Sequence, residues 1–484
     1  MLALLLIFFP LLAALGTLFL QRNNAKMYAM ISSLIQLGIT VYIFSVYLIG
    51  DVSLLATDVP WVPNLGINLK FGMDGISILL VALTNILTPL IILSSFRNNY
   101  ANPNAFYGLI LLMQFALLGV FTALDGFLFY VFWELALIPI WFICLLWGGG
   151  ERVRITLKFF IYTLSGSLLM LIALIFIYLQ TPAPHNFSID ALYQASLTAE
   201  MQGYLFWCFF IAFAIKIPIF PFHTWQPDTY TDAPAQGSML LSGIMLKMGV
   251  YGIIRWMLPI LPEGIAEWGN VVMILCLISI IYASCIAIVQ KDFKRLIAYS
   301  SIAHVGLITA GVFTLNIQGL QGSMVQMLAH GVNVIGLFFI ADIIQRRMKT
   351  RDMNKLGGLA HNSPLFTILF LIVLLGSVAL PLTNGFVGEF LLLTGIYSYN
   401  AWIAAGCGLT VILGAVYMLR AYQKVMLGEL HEKSVEFTGL AKSEKIVLIV
   451  VAFLIIAGGI YPKPILSIAQ PALEEIVLNL KGNL

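Results

Sequence analysis

Charged residues are scarce in this chain of 484 residues. Only 10% of its residues are Asp, Glu, Lys or Arg, whereas soluble domains carry roughly 25%. Hydrophobic residues make up 61%, and the mean hydropathy is +0.97. This composition excludes an ordinary soluble enzyme and predicts an integral membrane protein that crosses the bilayer many times. The net charge of +3 comes without a basic tail or an aromatic-basic patch, so we expect no nucleic-acid partner.

Cysteine is also rare, and its placement argues against cofactor or metal chemistry in this chain. The five cysteines lie singly inside apolar segments, with no CxxC spacing: Cys144, Cys208, Cys276, Cys285 and Cys407. Iron–sulfur clusters and disulfide frameworks need grouped cysteines. No glycine-rich phosphate-binding loop follows a strand-like segment either. We therefore expect no cofactor and no metal in this chain, and a packing role for each thiol.

Long apolar runs are abundant. A transmembrane helix needs about 20 consecutive apolar residues, and scanning the chain for such runs predicts an all-α membrane protein with about 14 transmembrane helices. These spans lie near 2–20, 27–50, 72–96, 105–123, 126–147, 155–180, 203–222, 235–258, 267–289, 294–315, 320–344, 363–398, 401–426 and 444–461. No gap between spans is long enough for a soluble domain.

The basic residues predict the orientation. With this set of spans, most of the 25 Lys and Arg residues fall on one side, which the positive-inside rule makes the cytoplasmic side. Both termini are then on the non-cytoplasmic side. The first apolar run has no basic segment before it, so we interpret it as the first helix and not as a signal peptide. The expected location is the cell inner membrane.

Six ionisable residues fall at membrane depth, in six different spans: Glu134, Lys216, Lys247, His304, His330 and Glu389. A charge at the bilayer centre costs at least about 2.5–3.5 kcal/mol on insertion scales. Buried ion pairs that fix helix packing could account for one or two such residues. Six together are typical of an ion or proton pathway, so we predict a proton relay built from this set.

Prolines interrupt two of the spans beside these residues. Pro218 and Pro221 follow Lys216, and Pro381 precedes Glu389. A proline has no N–H and frees a carbonyl of the preceding turn, and free backbone groups at this depth must face protein or water. Two broken helices in corresponding positions indicate a transport site.

The positions of the two broken helices also predict an internal repeat. Helices 4–8 and 9–13 form two groups of five, and the broken helix is the fourth in each group. Because five is odd, consecutive groups run in opposite directions and form inverted repeats. This organisation predicts four regions: 1–104 with helices 1–3, 105–258 with the first repeat, 259–426 with the second, and 427–484 with helix 14 and a short amphipathic tail.

Several long motifs resemble a known family. They are FYVFWELALIPIW (129–141), KIPIFPFHTWQPDTYTDAP (216–234), GSMLLSGIMLKMGVYGIIR (237–255), DFKRLIAYSSIAHVG (292–306) and NGFVGEF (384–390). Together they resemble the antiporter-like membrane subunits of respiratory complex I, the NADH–quinone oxidoreductase. The resemblance covers essentially the whole chain.

Within this family, the chain resembles the M type of subunit in two features. Glu389 occupies a position where the L and N types and the Mrp antiporter relatives usually have lysine or another residue. The chain also ends soon after helix 14, whereas the L type continues into a long lateral helix.

The resemblance implies a role for each buried ionisable residue. Glu134 is expected to pair with Lys216, and Lys247 to be the central proton carrier. His304 and His330 are expected to form the central relay, and Glu389 to face the exit. The same resemblance places NADH, FMN, Fe–S clusters and quinone in partner subunits. Expected partners are the L and N types of membrane subunit and membrane lipid.

Three alternatives stay open. One is an Mrp-type Na⁺/H⁺ antiporter subunit, which predicts lysine at the position of Glu389. Another is the membrane subunit of a proton-pumping hydrogenase or formate-linked complex, which would keep the same relay. The third is a structural anchor without transport, in which neutralising the six buried ionisable residues would leave proton pumping intact.

Overall fold

The computed structural model describes residues 2–429, 434, 437 and 439–483. Parts of the predicted C-terminal region 427–484 therefore lie outside the described residues. The described chain is predominantly helical and divides into two compact units. The first unit comprises Met1–Ile217, Ile244–Asn270 and Ile468–Leu484, and the second comprises Pro218–Gly243 and Val271–Ser467.

The first unit contains most of the N-terminal half. Its helices are α1 Leu2–Gly16, α2 Ala25–Ile49, α3 Gly75–Ser94, α4 Pro103–Thr122, α5 Gly126–Leu135, α6 Leu137–Trp147, α7 Arg152–Leu179, α8 Ile189–Tyr193, α9 Ala199–Lys216, α12 Lys247–Gly252 and α13 Leu258–Ile260. Strands β1 Thr57–Val62 and β2 Ile67–Phe71 pair antiparallel between α2 and α3. Helix α14 Pro262–Val289 begins in this unit and ends in the other, and α22 Lys463–Asn483 follows near the C-terminus.

The second unit contains the remaining helices. They are α10 Gln226–Asp232, α11 Ala235–Leu240, α15 Phe293–Val312, α16 Ile317–Met348, α17 Leu359–Asn362, α18 Pro364–Ser377, α19 Asn384–Tyr399, α20 Ala401–Met426 and α21 Lys442–Ile460. Helix α16 is 32 residues long and packs against α15, α18, α19 and α21. Its central position explains why nearly all of its apolar and polar side chains are buried.

Twelve helical segments of the described chain are long and apolar enough to cross a membrane. They match twelve of the fourteen predicted spans, and this confirms the all-α membrane class. The two predicted spans without such a helix are the broken ones, at 203–222 and 363–398. Because neither segment forms one continuous apolar helix, the total of fourteen and the inverted repeat stay predictions.

Both helices break where the prolines predict. Helix α9 ends at Lys216, just before Pro218, and α18 ends at Ser377, before Pro381. Polar side chains satisfy backbone groups at both breaks within the second unit. The Phe220 N–H donates to Ser279 Oγ at 2.7 Å, and Asn333 Nδ2 donates to the carbonyl of Gly376 at 2.9 Å. Such bonds compensate for part of the lost helical hydrogen bonding in apolar surroundings.

Aspartates organise one end of the first unit. Asp74 caps α3 and also pairs with the Arg255 guanidinium, while Asp125 caps α5 and accepts a hydrogen bond from the Asn68 N–H at 3.1 Å. The Tyr193 hydroxyl donates to the Arg255 carbonyl at 2.7 Å. Burial raises the pKa of Asp125 to about 6, against the opposing effect of its backbone hydrogen bonds. Capping carboxylates satisfy helix N–H groups that have no partner within the helix.

The C-terminal segment, for which the sequence predicted a short amphipathic tail over 465–484, forms α22, a helix of 21 residues, Lys463–Asn483. It buries Ala469, Leu473 and Ile476, and its Ile468 carbonyl lies so close to Gly75 that a Cβ there would overlap it. The buried residues lie along one stripe of the helix, which is the pattern of an amphipathic helix.

Candidate functional site

The first cluster lies in the first unit and joins Glu134 to Lys216. Helix α5 ends at Leu135, whose carbonyl loses its helical partner because Pro139 has no N–H. This leaves Glu134 at a helix end, half-buried, with Ser167 against it. The Lys216 side chain is buried, and its Nζ lies 5.2 Å from the centre of the Trp133 ring. Glu134 and Lys216 are close enough to interact electrostatically.

Lys247 lies on a neighbouring helix of the same unit. It is the first residue of α12, which is flanked by π-helical turns at Leu241–Met245 and Ile253–Met257, and its side chain has no exposed surface. Helix α12 approaches α9 closely at Gly249, where a Cβ would lie 3.0 Å from the Phe213 carbonyl oxygen. The π-helical turns are a frequent feature of functional sites.

The second cluster lies in the second unit. His304 on α15 and Glu389 on α19 are both almost fully buried, and His304 Nδ1 lies 3.1 Å from Glu389 Oε1. The rings of His304 and His330 have their centres 6.0 Å apart. The three sequence-predicted members of this half of the chain are therefore neighbours, although they are 26 to 85 residues apart in sequence.

A small cavity lies beside these histidines. Its volume is about 10 Å³, which is close to the volume that one water molecule requires. Polar side chains line much of it: Ser300, Ser301, His304, Gln326, His330, Asn333 and Ser377. Ser301 Oγ, Gln326 Oε1 and Asn333 Oδ1 are buried without a hydrogen-bond partner among the described residues. A water molecule would find several partners here, which is the condition for ordered internal water.

The six ionisable residues were predicted from the sequence, but several side chains that contact them were not. Gln326 Nε2 donates a hydrogen bond to Glu389 Oε1 at 3.3 Å, and Trp133 covers the Lys216 ammonium. A signal for Gln326 was available, because it lies four residues before His330 and therefore on the same helix face. Trp133 is next to Glu134 in the sequence but far from Lys216. Only the tertiary structure therefore shows its contact with Lys216.

Comparison with known proteins places these clusters in a family. Residues 123–415 match the family described as NADH:quinone oxidoreductase/Mrp antiporter, TM. The chain belongs to this family. The match covers both clusters, from Glu134 to Glu389.

Similarity to individual proteins of the family extends over the whole chain. A protein of Rickettsia prowazekii named NADH-quinone oxidoreductase subunit M is 39% identical over 482 residues, covering 98% of each chain. A protein of Methanosarcina mazei named F420H2 dehydrogenase subunit M is 38% identical and covers 98% of this chain and 97% of its own.

Solved structures agree with this. A chain of respiratory complex I from Thermus thermophilus, with bound NADH in the complex, superposes with a TM-score of 0.91 at 32% identity, covering 99% of this chain and 100% of that one. A chain of an archaeal membrane-bound sulfane sulfur reductase has a TM-score of 0.86 at 21% identity. At that identity the likeness shows a shared fold only.

Proposed function

We propose that the chain is a proton-translocating membrane subunit of an NADH–quinone oxidoreductase. The observation that carries the proposal is the gathering of buried and half-buried ionisable residues into two clusters, each beside a broken helix, in a chain of this family. Electron transfer from NADH through FMN and Fe–S clusters to quinone belongs to partner subunits. The neighbours in the membrane are subunits of the L and N types. The location is the cell inner membrane, with both termini on the non-cytoplasmic side.

The mechanism uses the two clusters in order. A proton enters from the cytoplasmic side and reaches Lys247. A change in the Glu134–Lys216 pairing changes the electrostatic field around α12, because α9, which ends at Lys216, packs against that helix. The proton then passes to the histidines and leaves by way of Glu389. Each step moves a proton between groups that can both gain and lose one, and the chain itself carries no electrons.

A second candidate is the equivalent subunit of a complex with another electron donor. The similarity to the Methanosarcina mazei protein, named as a subunit of an F420H2 dehydrogenase, favours keeping it. Membrane vesicles that contain the complex distinguish the two. Proton uptake driven by NADH supports the first candidate. Proton uptake driven only by a different reduced donor supports the second. The relay in this chain would be the same in both.

Replacing Lys216 by Ala tests the relay, with Lys158→Ala as the matched control. Lys216 ends the broken helix α9 and is buried, whereas Lys158 is close to the start of α7, where a long side chain can reach the interface. We expect Lys216→Ala to lower quinone reduction and proton uptake in inverted vesicles at least about tenfold, because positioned proton-transfer groups contribute roughly 10²–10⁴-fold.

The control variant Lys158→Ala is expected to keep near wild-type activity. Assembly of both variant complexes is checked on a native gel before either activity is measured. If Lys216→Ala assembles and pumps protons as well as Lys158→Ala does, Lys216 has no part in proton transfer and the proposed relay is wrong.

A further inference from the structure

Two polar side chains face the same oxygen of Glu389. Gln326 Nε2 lies 3.3 Å from Oε1, and His304 Nδ1 lies 3.1 Å from that same atom. The other carboxylate oxygen, Oε2, is buried and has no hydrogen-bond partner among the described residues. The two oxygens of this carboxylate therefore have different surroundings. Oε1 accepts the hydrogen bond from Gln326 and lies within ion-pair distance of His304, and both of these side chains line the cavity.

The lack of a side chain at Gly388 explains why Gln326 can reach this position. A Cβ at Gly388 would overlap Gln326 Oε1 and lie 3.0 Å from the Gln326 Cα. A second glycine contact lies one turn away on α16, where a Cβ at Gly322 would lie 2.6 Å from the Leu392 amide nitrogen. Helices α16 and α19 thus meet at the distance that only glycine allows. Any larger residue at position 388 must push Gln326 away from Glu389.

The chemistry of an amide limits what Gln326 can do. The side-chain amide of glutamine donates and accepts hydrogen bonds but does not exchange its charge state near neutral pH. It cannot carry the proton through the relay. It can hold a carboxylate in one orientation, and a donor on Oε1 favours placing the proton of the neutral carboxyl group on Oε2.

We propose that Gln326 is a positioning residue that holds Glu389 with Oε1 toward His304 and leaves Oε2 as the oxygen that releases the proton. The proposal rests on the proposed function, in which Glu389 carries protons. In the transfer step, the carboxyl group first releases the proton held on Oε2 toward the exit side and becomes a carboxylate, and protonated His304 then gives its Nδ1 proton to that carboxylate. The imidazole becomes neutral, and the carboxyl group gains and loses one proton.

The test compares Gln326→Met with Gln114→Met in the assembled complex. Methionine is similar in length to glutamine but cannot donate to the carboxylate. Gln114 is a matched control, because it is also a buried glutamine on a membrane helix, and it donates to the neutral Asn85 Oδ1 at 2.6 Å. We expect Gln326→Met to lower the rates of proton uptake and NADH oxidation together by at least about tenfold, because a hydrogen bond to a charged group contributes about 1.5–3 kcal/mol and each 1.4 kcal/mol is a factor of ten. Gln114→Met should keep the wild-type rates.

The pH profile of pumping separates positioning from general damage. The titratable side chains that face Glu389 are His304 on α15 and Tyr417 on α20, and His330 on α16 lies next to His304; none of them is changed in the variant. Loss of the donor destabilises the carboxylate, so we expect the profile of Gln326→Met to shift by about one pH unit toward alkaline pH. A merely structural role would lower the yield of complex without moving the profile.

Two further variants keep the outcome decisive. Gly388→Ala removes no polar side chain but displaces Gln326, and it is expected to reproduce the shifted profile. This variant decides the question if Gln326→Met fails to assemble. An unshifted profile at wild-type pumping would overturn the positioning role. Glu389→Gln separates the two proposals: if Glu389→Gln abolishes pumping while Gln326→Met is normal, only the positioning role fails. If Glu389→Gln itself pumps normally, the proposed function fails.

Discussion

Complexes that carry Lys247→Ala are expected to lose proton pumping and quinone reduction by at least about tenfold while still assembling. Lys247 has no exposed surface and begins a short helix between two π-helical turns, so its ammonium group is fixed in position. A positioned group that transfers a proton contributes roughly 10²–10⁴-fold to a rate. The measurement is NADH-driven proton uptake in inverted membrane vesicles, recorded together with NADH oxidation.

Lys247→Arg distinguishes proton transfer from a need for positive charge. Arginine keeps the charge but does not lose its proton in proteins. We therefore expect Lys247→Arg to be nearly as inactive as Lys247→Ala. If the arginine variant pumps at the wild-type rate, the side chain supplies a fixed charge and is not a proton carrier.

The second large effect is expected for Glu389→Gln. Glutamine has nearly the same shape and can still accept the hydrogen bond from Gln326 Nε2, which lies 3.3 Å from Oε1. It cannot bind and release a proton. We expect proton uptake to fall at least about tenfold, with assembly of the complex unchanged on a native gel.

Glu389→Asp is the matched control for this variant. Aspartate keeps an exchangeable proton but withdraws the carboxylate by one methylene group, so partial activity between wild type and Glu389→Gln is expected. Equal activity of Glu389→Gln and wild type would show that the contact with His304 stabilises helix packing and takes no part in transport.

Hydropathy predicted most of the fold because membrane helices must bury their backbone hydrogen bonds within themselves and expose apolar side chains. The two helix breaks, before Pro218 and before Pro381, could also be predicted from the sequence, because a proline removes one backbone hydrogen bond of the helix. The hairpin of β1 and β2 was not predicted. Its strands have five and six residues and lie in a loop with a weak alternation of side chains, which hydropathy does not register.

Only part of the candidate site could be predicted from the sequence. Six ionisable residues in apolar surroundings stand out in any sequence, because each carries a large desolvation cost. A neutral side chain such as Gln326 carries no comparable signal, since its importance comes from a bond to Glu389, 63 residues away. The close approach of α16 and α19 at Gly388 is likewise a property of the tertiary structure, because glycine has other uses in membrane helices.

The most direct test of the relay is Glu134→Ala, with proton pumping and quinone reductase activity measured in the same membranes and assembly checked on a native gel. Glu134 interacts with Lys216 but lies outside the sites of electron transfer, which belong to partner subunits in the proposed function. A coupled relay predicts that the complex assembles and that both activities collapse together. If the complex assembles and both activities stay near wild type, the buried ionisable residues are structural and this chain does not move protons in the way proposed.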